Sequence, residues 1–126
     1  MDKIKVIIAD DSDFVRDGMR IILSVDEEFE VLGCAKNGKE AVELCMKEKA
    51  DVILMDIQMP EMSGFDLSKI IRKKEKSTGE HTPIIATTAY AMERDKEHAL
   101  NAGMDHYISK PIDLTKLQEI INQVLE

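Results

Sequence analysis

Apolar residues follow two rhythms along this chain. Short runs rich in β-branched residues at 4–9, 29–35, 52–55, 83–87 and 106–109 read as strands. The run Val52-Ile53-Leu54-Met55 lacks polar alternation, as expected of a parallel strand covered on both faces, so it belongs in the centre of a sheet. Between the runs, apolar positions recur at helical spacing behind capping residues. Asn37 with Glu40 opens a helix carrying Ala41, Val42, Leu44 and Cys45, and Ser63 with Asp66 opens one carrying Phe65, Ile70 and Ile71. Asp113 caps a last helix with Leu114, Leu117, Ile120, Ile121 and Val124 on one stripe, while a first helix over about 14–23 is expected to bury some of Met19, Ile22 and Leu23. Strands that alternate with helices predict a parallel sheet with right-handed crossovers and helices on both faces, an α/β three-layer domain.

The fourth helical stretch, roughly 91–102, departs from this pattern because it offers few large apolar side chains. Weak burial gives weak anchoring, so this helix and the loop 88–92 ahead of it are the expected moving parts. With 126 residues and 44% apolar content, the chain suits one domain, 1–126, with a real core. The net charge of −8 argues against nucleic acid and acidic lipid as direct partners. No apolar run reaches membrane-spanning length and the N-terminus is polar and strand-like, so neither a membrane helix nor a signal peptide is expected and the cytoplasm is the default location. Cys34 and Cys45 sit in apolar contexts without metal-type spacing and are expected to be reduced core residues. Arg72, Lys73, Lys74 and Lys76, interrupted by Glu75, read as a solvated helix face. His81, His98 and His106 have no mutual metal spacing and receive no role.

Chemistry collects where the strands end, the region in which open α/β sheets bind ligands. The first strand ends in Asp10-Asp11, the third in Asp56, the fourth in Thr87-Thr88 and the fifth in Ser109-Lys110-Pro111, whereas the second ends in Cys34-Ala35-Lys36. If the second strand lies at an edge and the order is 2-1-3-4-5, the polar ends are contiguous. Each like-charged carboxylate pair at ~4 Å costs about 4 kcal/mol at an effective dielectric near 20. Positive charge is therefore required. Lys110 supplies one charge, and a hard divalent cation held by Asp10, Asp11 and Asp56 would supply the rest; Mg2+ suits an all-oxygen site that keeps a position for a phosphate oxygen. Asp56 then has two compatible roles, metal ligand and nucleophile. A lone acid after a strand is ordinarily a solvated loop residue, and the joint arrangement is what points to a site.

In these motifs the chain resembles the receiver domains of two-component response regulators over essentially its whole length. They are Ile8-Ala9-Asp10-Asp11, Leu54-Met55-Asp56-Ile57-Gln58-Met59-Pro60-Glu61-Met62-Ser63-Gly64, Pro83-Ile84-Ile85-Ala86-Thr87-Thr88-Ala89 and Ala102-Gly103-Met104-Asp105-His106-Tyr107-Ile108-Ser109-Lys110-Pro111. The resemblance implies a flavodoxin-like, doubly wound (βα)5 sandwich with strand order 2-1-3-4-5. It implies Asp56 as phosphoryl acceptor, with Mg2+, or Mn2+ as a substitute, bound by Asp10, Asp11, Asp56 and the Gln58 backbone carbonyl. Lys110 would pair with the phosphoryl group, and Lys110-Pro111 would be a cis peptide. Consecutive strand residues face opposite ways, so one of Thr87 and Thr88 donates to the group; the family pattern selects Thr88, before Ala89. Gln58 and Tyr90 would tune hydrolysis. The donor would be a phosphohistidine on a histidine kinase or phosphotransfer domain, so the chain is labelled rather than acting as a turnover enzyme.

Phosphorylation would draw Thr88 inward and let Tyr107 follow, changing an output surface made of the fourth helix, fifth strand and fifth helix, read by a downstream domain or protein. Tyr107 is alternatively an ordinary half-buried strand tyrosine. Phe14 and Val15 are either helix core or, beside Pro111, a docking patch for the kinase's helices. The oligomeric state is open, a phosphorylation-linked dimer included. Three rival readings are weaker. A haloacid-dehalogenase-type phosphatase would use Asp11-Ser12-Asp13, but the best nucleophile ends the third strand. A flavin module needs a hydroxyl-rich phosphate loop where this chain has Asp10, Asp11 and Asp13. A partner-binding pseudo-receiver would not need the intact acid set.

Overall fold

The computed structural model describes residues 3–59, 62–89 and 93–125. Strands β1 (Ile4–Ala9), β2 (Phe29–Ala35), β3 (Val52–Asp56), β4 (Ile84–Thr88) and β5 (His106–Ser109) alternate with helices α1 (Asp13–Ser24), α2 (Gly38–Lys47), α3 (Gly64–Glu75), α4 (Glu93–Asn101) and α5 (Leu114–Leu125). The strands form one parallel sheet in the order β2-β1-β3-β4-β5. Strands three and four each sit one residue further along than the pattern suggested at their C-terminal ends, which brings Asp56 and Thr88 into the sheet.

The alternation of strand side chains divides the core into two layers. Val6, Ile8, Val52, Leu54, Ile85 and Ile108 point toward α1 and α5, where they meet Met19, Leu23, Leu117, Ile120 and Ile121. Ile7, Ile53, Met55, Ile84 and Ala86 point the other way, toward Ala41 of α2, Leu67 and Ile71 of α3 and Ala99 of α4. β3 is buried at every position, as its unbroken apolar run required. Ile22 is only half-buried, so α1 anchors itself chiefly through Met19 and Leu23.

Local chemistry starts the helices, at the caps the sequence placed, Asn37, Ser63 and Asp113, and at Ser12, which the sequence pattern did not single out. Ser12 Oγ accepts from Val15 N at 3.2 Å, Asn37 Oδ1 from Glu40 N at 2.9 Å, Ser63 Oγ from Asp66 N at 3.2 Å and Asp113 Oδ1 from Thr115 N at 2.9 Å. α4 contributes Ala99 alone to the buried core, and its Leu100 is 52% exposed. Residues 90–92, part of the expected mobile loop and the start of that helix, lie outside the described residues.

Two expectations need correction. Cys34 and Cys45 are free thiols but only partly buried, each packed on the rim of a core layer; burial nonetheless pushes both thiols up, Cys45 to about 11, so neither is an activated nucleophile. Arg72 does not belong to a solvated face. Its side chain is 17% exposed, and it crosses from α3 to the start of the last two strands. Nε donates to Gly103 O at 2.8 Å, Nη1 to Glu75 Oε1 and Thr82 O at 2.5 and 2.9 Å, and Nη2 to Asp105 Oδ2 at 2.7 Å. His81, given no role from sequence, closes this group with Nε2 at 2.6 Å from Asp105 Oδ1. His98 also has a contact, its ring edge-on to Phe65 at 5.2 Å.

Candidate functional site

The C-terminal ends of β1, β3, β4 and β5 bring the acids, hydroxyls and lysine together. Asp10 follows directly on β1 and is fully buried. Its Oδ1 accepts from Ser12 N at 3.0 Å; its Oδ2 has the Lys110 ammonium at 2.8 Å and no other polar partner among the described residues. Asp56 closes β3 at 4% exposure, with Oδ1 accepting from Gln58 N at 3.2 Å and lying 3.4 Å from Lys110 Nζ. Asp11 is exposed, yet one carboxylate oxygen from each of Asp10, Asp11 and Asp56 lies within 4.8 Å of the others.

This crowding governs protonation. Burial, followed in weight by the opposing Gln58 N–H and the adjacent Asp10 charge, raises Asp56 from 3.8 to about 6. Burial works against the Lys110 ammonium, but the hydrogen bond to Asp10 and the Asp56 charge outweigh it and hold the lysine charged. Among the described residues one cation, Lys110, faces three carboxylates, two charges short of balance.

Several residues that the pattern of strand ends did not single out build the pocket. Arg16, on the first turns of α1, donates to the Asp10 backbone carbonyl at 2.7 Å and pairs with Asp13, fixing the loop that carries the acid pair. Gly64 lets α3 start against β3: a Cβ there would lie 2.4 Å from the Asp56 carbonyl oxygen. Its N–H donates to Ile57 O at 3.1 Å. Such close approach needs glycine for space, not for backbone conformation.

The two threonines occupy different faces. Thr87 pairs with Asp56 in register, is fully buried and has no hydrogen-bond partner for Oγ1 among the described residues. Thr88, 5% exposed, pairs with Ser109 and shares the strand face of Tyr107, and its carbonyl accepts from Lys110 N at 2.7 Å. Tyr107 is half-buried on edge strand β5. Phe14 is 88% exposed and thus not core, Val15 is half-buried, and Pro111 is exposed after a cis Lys110-Pro111 bond. Tyr90 lies outside the described residues.

Residues 6–122 match the response regulator receiver domain family. This chain belongs to that family. It is therefore a receiver domain of two-component signal transduction. It is 39% identical over 121 residues to chemotaxis protein CheY of Halobacterium salinarum, covering 96% of each. It is 41% identical over 123 residues to hybrid signal transduction histidine kinase I of Dictyostelium discoideum, where the match covers 94% of this chain and only 7% of the kinase. Its fold superposes with a TM-score of 0.83 and 31% identity on a chain of the co-crystal structure of the Saccharomyces cerevisiae histidine phosphotransfer protein Ypd1 with the receiver domain of its response regulator Ssk1. That likeness covers 97% of this receiver and 88% of the yeast chain. Among the described residues, no helix is long and apolar enough to cross a membrane.

Proposed function

We propose that this receiver accepts a phosphoryl group on Asp56 from a phosphohistidine donor and passes the signal on through α4, β5 and α5. The observation that carries the reading is the convergence of three carboxylates on one small volume with Lys110 Nζ between Asp10 and Asp56. So much like charge in one place is tolerable only around a cation and useful only where an anion is to be captured.

The donor set is wholly oxygen, it leaves a buried Asp10 oxygen with a single ammonium partner, and it is short of positive charge, all of which fit Mg2+, or Mn2+ in its place. Asp10, Asp11 and Asp56, with the Gln58 backbone carbonyl, would hold it. When bound it neutralises charge on the oxygens of the transferred group. An Asp56 oxygen forms the new P–O bond as the donor's P–N bond breaks, and the leaving imidazole keeps the electron pair and takes up a proton. Lys110 pairs with a phosphoryl oxygen, and the Thr88 hydroxyl donates to another. Gln58 and Tyr90 tune the rate at which the acyl phosphate hydrolyses.

Docking belongs on the outward face of α1. Phe14, Ile21 and Val25 are 88%, 65% and 74% exposed and, with Gly18 between them, form one stripe at helical spacing, with exposed Pro111 beside the site. A Cβ at Gly18 would meet nothing within 4 Å among the described residues, so the gap is open to a partner helix. A histidine phosphotransfer domain or a kinase's helical pair is the partner that such a stripe fits. Residues 1–126 act as a single receiver unit, and the cytoplasm, where the free thiols Cys34 and Cys45 stay reduced, is its compartment.

The test is incubation with acetyl phosphate and Mg2+ followed by intact mass. One phosphoryl adduct, labile to hydroxylamine, not formed when EDTA is present from the start and absent from Asp56→Ala, is expected. An adduct that persists in Asp56→Ala, or one stable to hydroxylamine, would overturn the assignment.

A further inference from the structure

α4 is held unevenly. Its C-terminal end is fastened to α3 by Ser68 Oγ, which donates to Ala102 O at 2.9 Å, and by Arg72, which bonds Gly103 O and Asp105. Further toward the N-terminus it contributes no buried apolar side chain before Ala99. There the contact to β5 is made by Lys96, whose Nζ lies 5.2 Å from the centroid of the Tyr107 ring. Among the described residues Lys96 is in no ion pair. The ring also neighbours His106, with centroids 6.1 Å apart and planes inclined by 27°.

A cation over a tyrosine face is attracted by the ring quadrupole, and the contact is lost when the ring turns away. We propose that Lys96 is a positioning residue that holds Tyr107 in its resting place on β5 and ties the loosely anchored half of α4 to that strand. This rests on reading Tyr107 as the moving part of the output surface. Inward rotation of the ring releases Lys96, and the helix then pivots on its fixed C-terminal end. Lys96 thereby sets the threshold of the switch without touching the reacting atoms.

The test uses the whole chain carrying 3-fluorotyrosine, with 19F spectra of wild type, Lys96→Met and Lys96→Arg before and after acetyl phosphate and Mg2+. The chain has two tyrosines, so Tyr90→Phe assigns the Tyr107 signal. In the resting protein, Lys96→Met is expected to move the Tyr107 signal toward its phosphorylated position, a population change of about two- to fivefold for a cation–π contact at a partly exposed site. Lys96→Arg, which keeps the cation, restores it, whereas a merely structural role would show both variants alike. A Lys96→Met resting signal equal to wild type sinks the Lys96 role alone. A wild-type Tyr107 signal unmoved by an Asp56 label confirmed by mass overturns the switch reading and the threshold with it.

Discussion

At the N-terminal end of the sheet Arg72 meets the carboxylates of Glu75 and Asp105, and at the C-terminal end Lys110 faces those of Asp10, Asp11 and Asp56. The first group is finished. Arg72 spends Nε, Nη1 and Nη2 on protein acceptors, Asp105 accepts from Arg72, Ile84 N and His81, and Glu75 accepts from Arg72 and Thr82 N. The second group is left short of positive charge, with a buried Asp10 oxygen served by one ammonium. A satisfied buried network specifies a structure, and a deficient one stores an electrostatic demand that a ligand can meet. Removing charge should therefore harm the first group and relieve the second.

The largest effect is expected at Arg72. Arg72→Met strips two half-buried carboxylates of their guanidinium partner and two carbonyl groups of the Arg72 donor, and should lower stability by about 3–5 kcal/mol, read as a fall in urea midpoint at unchanged slope. Lysine should not rescue it, because a single ammonium cannot reach acceptors from α3, the loop before β4 and the loop before β5 at once. A Met variant as stable as wild type would mean that the two ends of the sheet do not differ as described.

At the other end the sign reverses. Asp56→Asn removes one of three crowded charges, and in Mg2+-free buffer near pH 8 it should raise stability by about 1–3 kcal/mol, given the shift of Asp56 from 3.8 to about 6 and about 1.4 kcal/mol per pKa unit. Added Mg2+ should stabilise the wild type by mass action and leave Asp56→Asn nearly unmoved. Loss of stability in the Asn variant would show that Lys110 already balances the pocket.

The same shift dictates a pH profile. Unfolded, Asp56 loses its proton near 3.8, and folded it keeps it to about 6. Between those values the folded state binds more protons, so without Mg2+ this residue's contribution makes stability fall as pH rises from about 4 to about 6 and level off above. The difference between wild type and Asp56→Asn isolates that contribution from the histidines. A difference that is constant across the window would place the folded pKa of Asp56 near its ordinary value.

How far sequence reaches follows from the same contrast. The charged groups of the pocket were legible because a strand's end is a local signal, one that Asp10, Asp56 and Lys110 carry; the choice of Thr88 over Thr87 came from the family resemblance, and Arg16 and Gly64 carry no such signal. The caps at Asn37 and Ser63 were legible for the same reason. Arg72, His81 and Asp105 were not, because Arg72 lies in a charged helix segment whose pattern predicts solvent, and its partner stands 33 residues away. Only the packing of α3 against the loop before β5 creates that meeting. Phe14 was ambiguous from spacing alone, since it sits on the first turn of α1, where burial depends on how the acid loop leaves β1. In the structure Arg16 bonds the Asp10 carbonyl across that loop and Phe14 faces outward.

The smallest effect tests whether burial, rather than the number of bonds, makes the Arg72 group strong. His81 lies as close to Asp105 as Arg72 does, 2.6 against 2.7 Å, but its side chain is 57% exposed where that of Arg72 is 17% exposed. Water competes for the exposed imidazole's hydrogen bond, so proximity contributes little. His81→Gln should cost less than about 1 kcal/mol, and that cost should shrink further in 0.5 M salt, while the Arg72→Met penalty persists because salt screens a half-buried pair poorly. Equal penalties at the two positions would mean that Asp105 is held by its count of donors rather than by its removal from solvent, and the contrast between the two ends of the sheet would then rest on Lys110 alone.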